Sequence, residues 1–178
     1  MRGPTIASQP RWTRVNRWLN RAGSVLDTIG KGCDRVILDR MLLTEIDHVA
    51  IAVRDLEAAI DYYQRAFGAT VEHREIVESD GVEEALLRVA QSYIQLLTPT
   101  SDASPVAKAI EKRGEGLHHI GYRVDDCGVA LDSMIAAGAT PIDKAPRPGS
   151  RGTTVAFIHP KGSFGTLIEL VQENPTDR

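Results

Sequence analysis

Two histidines, a glutamine and a glutamate stand in matched positions along this chain: His48 in DHVAIAV and His119 in HHIGYRV, Gln95 in YIQLL and Glu169 in LIELV. Two imidazoles, a carboxylate and an amide oxygen form a mixed nitrogen and oxygen set that suits a borderline or hard divalent cation, with coordination positions left for substrate or water. Because one donor is an amide and not a carboxylate, a dication held there keeps a net positive charge and favours an anionic chelating substrate. Taken singly, a Gln or Glu in a strand is usually a core polar group with its own hydrogen-bond partner. The matched pairing of four such residues favours a metal site. In an extended strand alternate residues share a face, so His48 lies with Ala50 and Ala52, and His119 with Gly121; these small neighbours leave room for a ligand. Gln95 and Glu169 interrupt apolar strands, where an inward polar side chain needs a partner. The same alternation turns His118 away from His119 and leaves it outside the ligand set. His73 and His159 have no counterpart in the pairing and are assigned to the surface or the substrate edge.

The pairing follows from an internal repeat. Residues 47–61, DHVAIAVRDLEAAID, align without a gap on 118–132, HHIGYRVDDCGVALD; FGAT at 67–70 returns as AGAT at 137–140 after a slip of one residue. In each half a strand runs into an Asp suited to cap a helix, Asp55 or Asp126. Leu56, Ile60, Tyr63 and Phe67 mark the buried face expected for the first helix, and Val129, Leu131, Met134 and Ile135 that of the second. Gly68 and Gly138 stop them, since glycine takes the left-handed conformation that helix ends favour. Three more strands are expected per half, at about 70–78, 83–89 and 92–98, then at about 139–143, 153–159 and 166–172. A linker helix at about 104–113 joins the halves. The expected fold is therefore α+β: two β-α-β-β-β modules, about 44–99 and 116–173, whose two small sheets curl around a shared cleft, joined by a linker at about 100–115.

A chain of 178 residues accommodates one such domain at 44–173, with an extension at 1–43 and a short tail at 174–178. The net charge of -3 is unevenly spread: residues 1–40 hold eight basic and three acidic side chains, leaving 13 basic and 21 acidic to the acidic body that follows. Such a body is a poor nucleic-acid binder, so an anionic substrate must meet a local basic patch. No apolar run is long enough to span a membrane. Cys33 and Cys127 form no CxxC pattern and read as free thiols in a reducing, cytoplasm-like compartment. From Trp12 to Val36 apolar residues recur every three or four positions, predicting an amphipathic helix over about 11–38, with Trp12 and Trp18 as anchors. This Arg-rich leader fits a packed or surface helix, a transit peptide for the mitochondrial matrix, or a segment upstream of a true start at Met41.

The segments IDHVAIAV at 46–53, HREIVESDGVEEALL at 73–87, IQLLTP at 94–99, GEGLHHIGYRVDD at 114–126, FIHPKG at 157–162 and LIELVQ at 167–172 resemble, in their order and spacing, the vicinal oxygen chelate superfamily and, within it, the methylmalonyl-CoA epimerase family. The resemblance implies the same ligands, His48, Gln95, His119 and Glu169, for a divalent cation: cobalt first, with zinc, manganese, nickel or magnesium as alternatives. It implies an acyl-CoA substrate, a homodimer, and a catalytic carboxylate three residues after Gly81, which is Glu84. Glu169 is the implied acid/base for the opposite face. Proton abstraction at C2 of methylmalonyl-CoA would give an enolate stabilised by the metal, and Val82 and Leu86, on the face of Glu84, would raise its pKa by desolvation. Lys144, Arg147, Arg151 and Lys161, in or beside the 144–152 loop and the HPKG turn, are the cations expected to meet CoA phosphates. The chain departs from the family where an Asn-Glu-Glu-Gln run is replaced by Val77, Glu78, Ser79 and Asp80, and where an Arg and an Asn are replaced by Thr154 and Ala156. These departures bear on acyl specificity more than on reaction type. A glyoxalase-type isomerase (lactoylglutathione lyase) would use a similar four-ligand site. A ring-cleaving dioxygenase would use two His and one Glu on iron, with no need of Gln95. A drug-sequestering binding protein of this fold usually lacks the ligands.

Overall fold

The computed structural model describes residues 42–174. The expected 11–38 helix, Trp12, Trp18 and Cys33 lie outside the described residues. Module one consists of β1 (Leu43–Ala52), α1 (Leu56–Phe67), β2 (Val71–Val77), β3 (Val82–Val89) and β4 (Ser92–Pro99). The linker helix α2 is Pro105–Arg113. Module two consists of β5 (Gly116–Val124), α3 (Cys127–Ala136), β6 (Arg147–Pro148), β7 (Thr154–Ile158) and β8 (Ile168–Gln172).

Local chemistry sets these boundaries. Asp55 accepts a hydrogen bond from the Ala58 amide and Asp126 from the Val129 amide, each satisfying one free donor of its helix's first turn. Ser104 does the same for α2 through the Val106 amide, and Pro105 at the first helical position forfeits no bond. Gly68 ends α1 at φ 66 and returns its amide to the Gln64 carbonyl. In the second copy the left-handed glycine, Gly138 at φ 92, falls one residue beyond the cap Ala137, because α3 has 10 residues where α1 has 12.

The expected buried faces need correction. In α1, Leu56 and Ile60 are buried but Phe67 is 67% exposed at the helix end. In α3 the buried stripe is Cys127, Ala130 and Leu131, with Met134 packed beside it; Val129 and Ile135 face outward. The stripe begins at Cys127, whose small side chain fits flush against Leu170. Leu131→Ala is therefore expected to cost about 2–5 kcal/mol in chemical denaturation, and Val129→Ala less than about 0.5 kcal/mol; equal losses would restore the original face.

The expected pair of small sheets is instead one eight-stranded sheet, in the order β2-β3-β4-β1-β5-β8-β7-β6. β1 pairs in parallel with β4, and β5 with β8; the modules fuse edge to edge through the antiparallel β1·β5 seam. The strand expected at 139–143 reduces to a single bridge between Pro141 and Ile158. Pro141 has no N–H to extend a ladder and Pro146 follows, so this stretch becomes loop, and pairing with β7 resumes only at β6. α1 packs on β3 and β4, α3 on β7 and β8, and α2 buries Val106 and Ile110 against Ala50, Ala52, Val82 and Leu97. That last cluster walls one end of the cleft beside the seam.

Candidate metal centre and active site

The seam brings the two histidines together. His48 pairs with Gly121 and Ala50 with His119, and the same register sets Ala50 beside Gln95 and Gly121 beside Glu169. Gly121 is small for a specific reason: a Cβ there would overlap the His48 ring at Cε1, Nδ1 and Nε2. The room foreseen for a ligand ion is thus partly room for the opposing imidazole.

His48 Nε2, His119 Nε2 and Glu169 Oε2 form a triangle with sides of 2.9, 2.9 and 3.0 Å, all three residues buried. Donors about 2.0–2.1 Å from one ion and at right angles lie about 2.9 Å apart, whereas tetrahedral donors would be about 3.4 Å apart. A proton can bridge only one edge of this triangle, whereas a cation can engage all three corners. Gln95 lines the same cavity as His119 and Glu169. Its Nε2 donates to Glu84 Oε2 at 2.6 Å, while its Oε1 is buried with no hydrogen-bond partner, the state expected of a fourth donor oxygen. By donor chemistry and spacing these residues fit a divalent cation.

Each histidine is oriented by the residue before it. Relative to β5, Asp47 is the extra residue between the Ile46 and His48 pairings, and His118 is the extra residue of β5 between the pairings of His119 and Leu117. Bulges at these two equivalent places interrupt alternation and re-aim a side chain. Asp47 Oδ1 lies 2.8 Å from His48 Nδ1, and His118 Nδ1 lies 2.9 Å from His119 Nδ1. His118 therefore does not point away, as alternation predicted: it lines the cavity and braces a candidate ligand. Asp47 was missed, although the repeat aligns it with His118 and so places a polar residue before both histidines. Such outer partners fix the tautomer and ring orientation of metal-binding histidines.

The electrostatics follow from burial and pairing. Burial disfavours charge on His48, yet its bonds to Asp47 and Glu169 outweigh this and raise its pKa to about 9. Burial would likewise raise Glu169, but the bonds from His119 and His48 hold it well below the usual carboxylate range. Burial lowers His119, and burial together with the neighbouring His119 lowers His118 to about 4, so His118 is neutral and able to accept from His119. In the metal-free protein the His48 proton stabilises the fold fully below the ordinary value of 6.5, and this is lost as pH rises toward about 9. A cation must displace that proton. Cobalt affinity measured by calorimetry is therefore expected to rise up to about tenfold per pH unit from about 6.5 to about 9 and then level off; a flat profile would remove His48 from the set.

Glu84 stands in the wall of the same cavity, between Val82 and Leu86 on its face, and is 2% exposed. Burial pushes its pKa up, against the Ser150 hydroxyl and the Gln95 amide, and its Oε1 has no partner. The cavity, about 190 Å³, has apolar Leu97, Val106, Ile142, Phe157 and Leu167 in its walls. Of the four expected phosphate-binding cations, Lys144 and Lys161 are exposed. Arg147 lines the cavity, stacked over Phe157 and paired with Asp80 at 2.9 Å and Asp143 at 3.3 Å. Arg151 turns inward to Asp47. His73 bonds to Glu75 at 2.8 Å near Glu84, and exposed His159 caps the Pro160–Gly162 turn through the Lys161 amide.

A duplicated β-α-β-β-β module with nitrogen and oxygen donors meeting at its seam is the architecture of a vicinal oxygen chelate domain. The chain belongs to the Glyoxalase/Bleomycin resistance protein/Dioxygenase superfamily, whose family model matches residues 47–157. It is 38% identical over 133 residues to an ethylmalonyl-CoA/methylmalonyl-CoA epimerase of Cereibacter sphaeroides, covering 74% of this chain and 99% of that one. It is 33% identical over 138 residues to a mitochondrial methylmalonyl-CoA epimerase of Dictyostelium discoideum, covering 77% and 83%. A Streptomyces coelicolor methylmalonyl-CoA epimerase variant, solved with 2-nitronate-propionyl-CoA, superposes with a TM-score of 0.72 at 39% identity, covering 74% of this chain and 98% of that chain.

Proposed function

We propose that this protein interconverts (2R)- and (2S)-methylmalonyl-CoA by removing and returning the proton at C2. The observation that carries the reading is Glu84: a carboxylate sealed in apolar surroundings, its proton affinity raised, in the cavity that holds Gln95, His119 and Glu169. The kinship with named epimerases supports it. Glu84 takes the proton on one face of C2, and its raised pKa brings it nearer the value at which a general base works efficiently near neutral pH. Glu169 is the acid/base for the other face. His48, Gln95, His119 and Glu169 hold a divalent cation, cobalt by family resemblance, which when bound supplies Lewis-acid stabilisation of enolate charge. Gln95 also fixes the Glu84 carboxylate through its amide, so the base and the metal donors are set by one side chain. Apolar Val106, Ile142 and Leu167 exclude water around the acyl group.

Arg147, Lys144 and Lys161 meet the negative charges of the CoA ester, and the assembly is a homodimer. Among the described residues no helix is long and apolar enough to cross a membrane; a cytoplasmic enzyme, or a matrix enzyme if residues 1–40 are a transit peptide, is proposed. The test is to incubate cobalt-loaded protein with (2S)-methylmalonyl-CoA in deuterated water, and separately with methylglyoxal plus glutathione. Formation of the (2R) ester with deuterium at C2 is the expected result. Turnover of the glutathione adduct alone would replace this reading with a lactoylglutathione lyase.

A further inference from the structure

Arg151 lies in the short 3-10 turn Ser150–Gly152 at φ 54 and ψ 24, a left-handed conformation that side chains rarely adopt. Such an outlier persists only where its surroundings over-determine it. Here the surroundings belong to the other module. Arg151 Nη2 donates to Asp47 Oδ1 at 2.8 Å, and the guanidinium lies 5.0 Å from the centroid of the Tyr93 ring, with the side chain only 16% exposed. Tyr93 is the residue directly alongside His48 in the β1·β4 ladder. Asp47 is wholly buried, and the same Oδ1 receives His48 Nδ1, also at 2.8 Å. One oxygen atom thus joins a candidate metal ligand of module one to a loop of module two.

That loop is bonded within itself. The Gly149 amide donates to the Thr153 carbonyl at 2.9 Å, and both the amide and hydroxyl of Thr153 donate to the Ser150 carbonyl, at 3.0 and 2.7 Å. A Cβ at Gly149 would collide with Val155 and Thr153, so the turn is seated tightly on β7. Its outward residue, Ser150, lines the cavity with Glu84. Asp47 does not depend on Arg151 for a counter-ion: Arg123 donates to Oδ2 through Nε at 3.2 Å and Nη2 at 2.8 Å, and reaches Glu45 and Glu173 as well. Among the described residues, Asp47 is the one carboxylate paired with Arg151.

We propose that Arg151 is a positioning residue: it tethers the 149–153 loop to the Asp47 carboxylate that orients His48, and so registers Ser150 and the base Glu84 against the metal donors. This replaces its expected contact with CoA phosphates, and its catalytic consequence rests on the epimerase reading above. Losing Arg151 leaves Asp47 and His48 held by Arg123, so the metal stays while the loop loses its anchor.

The first measurement needs neither metal nor substrate. In the metal-free full-length protein, Arg151→Met is expected to speed amide hydrogen exchange over 149–153 at least about tenfold, with β1 and β4 unchanged. In the cobalt-loaded enzyme kcat should fall about 10–100-fold with KM for methylmalonyl-CoA within about twofold and cobalt stoichiometry retained. Arg151→Lys, which can still donate to Asp47, should recover part of both effects. The fold loss should be the same on the methylmalonyl thioester of pantetheine, which carries no phosphate. A raised KM confined to the CoA ester would make Arg151 a phosphate contact, and unchanged loop exchange would remove the tether; either overturns the proposal. Should the parent enzyme leave methylmalonyl-CoA untouched, the functional reading fails and the exchange result alone decides the tether.

Discussion

Glu84→Gln is expected to abolish most epimerisation while the metal stays in place. A positioned general base contributes roughly 10² to 10⁴ in rate, or about 3–5 kcal/mol of barrier. The substitution keeps the shape of the side chain, and its carbonyl oxygen can still accept the bond that Gln95 Nε2 donates at 2.6 Å. Gln95 therefore remains oriented, and the triangle of His48, His119 and Glu169 is not touched. From the epimer whose C2 proton faces Glu84, incorporation of solvent deuterium should fall in step with turnover, because that group removes the proton. A second readout has the opposite sign. Burial raises the pKa of Glu84, so its favourable contribution is present at low pH and lost as pH rises through the folded value. A neutral amide lacks that loss, and the variant should melt at a higher temperature than the parent at neutral pH, the usual exchange of stability for activity. Full retention of deuterium incorporation, with cobalt content unchanged, would eliminate Glu84 as the base.

Much of this site is legible because duplication writes it twice. The capping Asp55 and Asp126 and the histidines His48 and His119 recur at an offset of 71, the stop glycines Gly68 and Gly138 at 70 and the strand donors Gln95 and Glu169 at 74, and local chemistry then gives most of the element order, though not the single sheet joined at the seam. The limits of that reading are equally local. Alternation assumes an unbroken ladder, and bulges at Asp47 and His118 break it beside each histidine, so His118 was assigned to the wrong face and Asp47 went unnoticed. Helical spacing in module two offers two overlapping stripes; tertiary packing of Cys127 against Leu170 selects the one that does not contain Val129. The role of Arg151 depends on a turn of module two reaching a buried carboxylate 104 residues away, which no local pattern encodes.

His119→Ala is expected to cost the protein its metal and, with it, nearly all activity. The substitution removes one corner of the donor triangle and leaves His48 Nε2 and Glu169 Oε2 facing each other at 2.9 Å. With His48 protonated that pair is a satisfied buried ion pair, so the metal-free variant should keep the fold, with far-ultraviolet circular dichroism unchanged. Two remaining donors and Gln95 make a weak site, and dialysed protein should contain less than stoichiometric cobalt by elemental analysis. Activity should fall further than in Glu84→Gln, because the loss extends to every step in which enolate charge is stabilised, an effect worth several kcal/mol. His118→Ala supplies the control: it removes the partner of His119 Nδ1 but no donor, so affinity should weaken about 10–100-fold without vanishing, and excess cobalt should restore turnover. Excess cobalt should not restore His119→Ala. If that variant still binds cobalt one to one with parental affinity, the ion is held elsewhere and the seam triangle is an ordinary buried hydrogen-bond cluster.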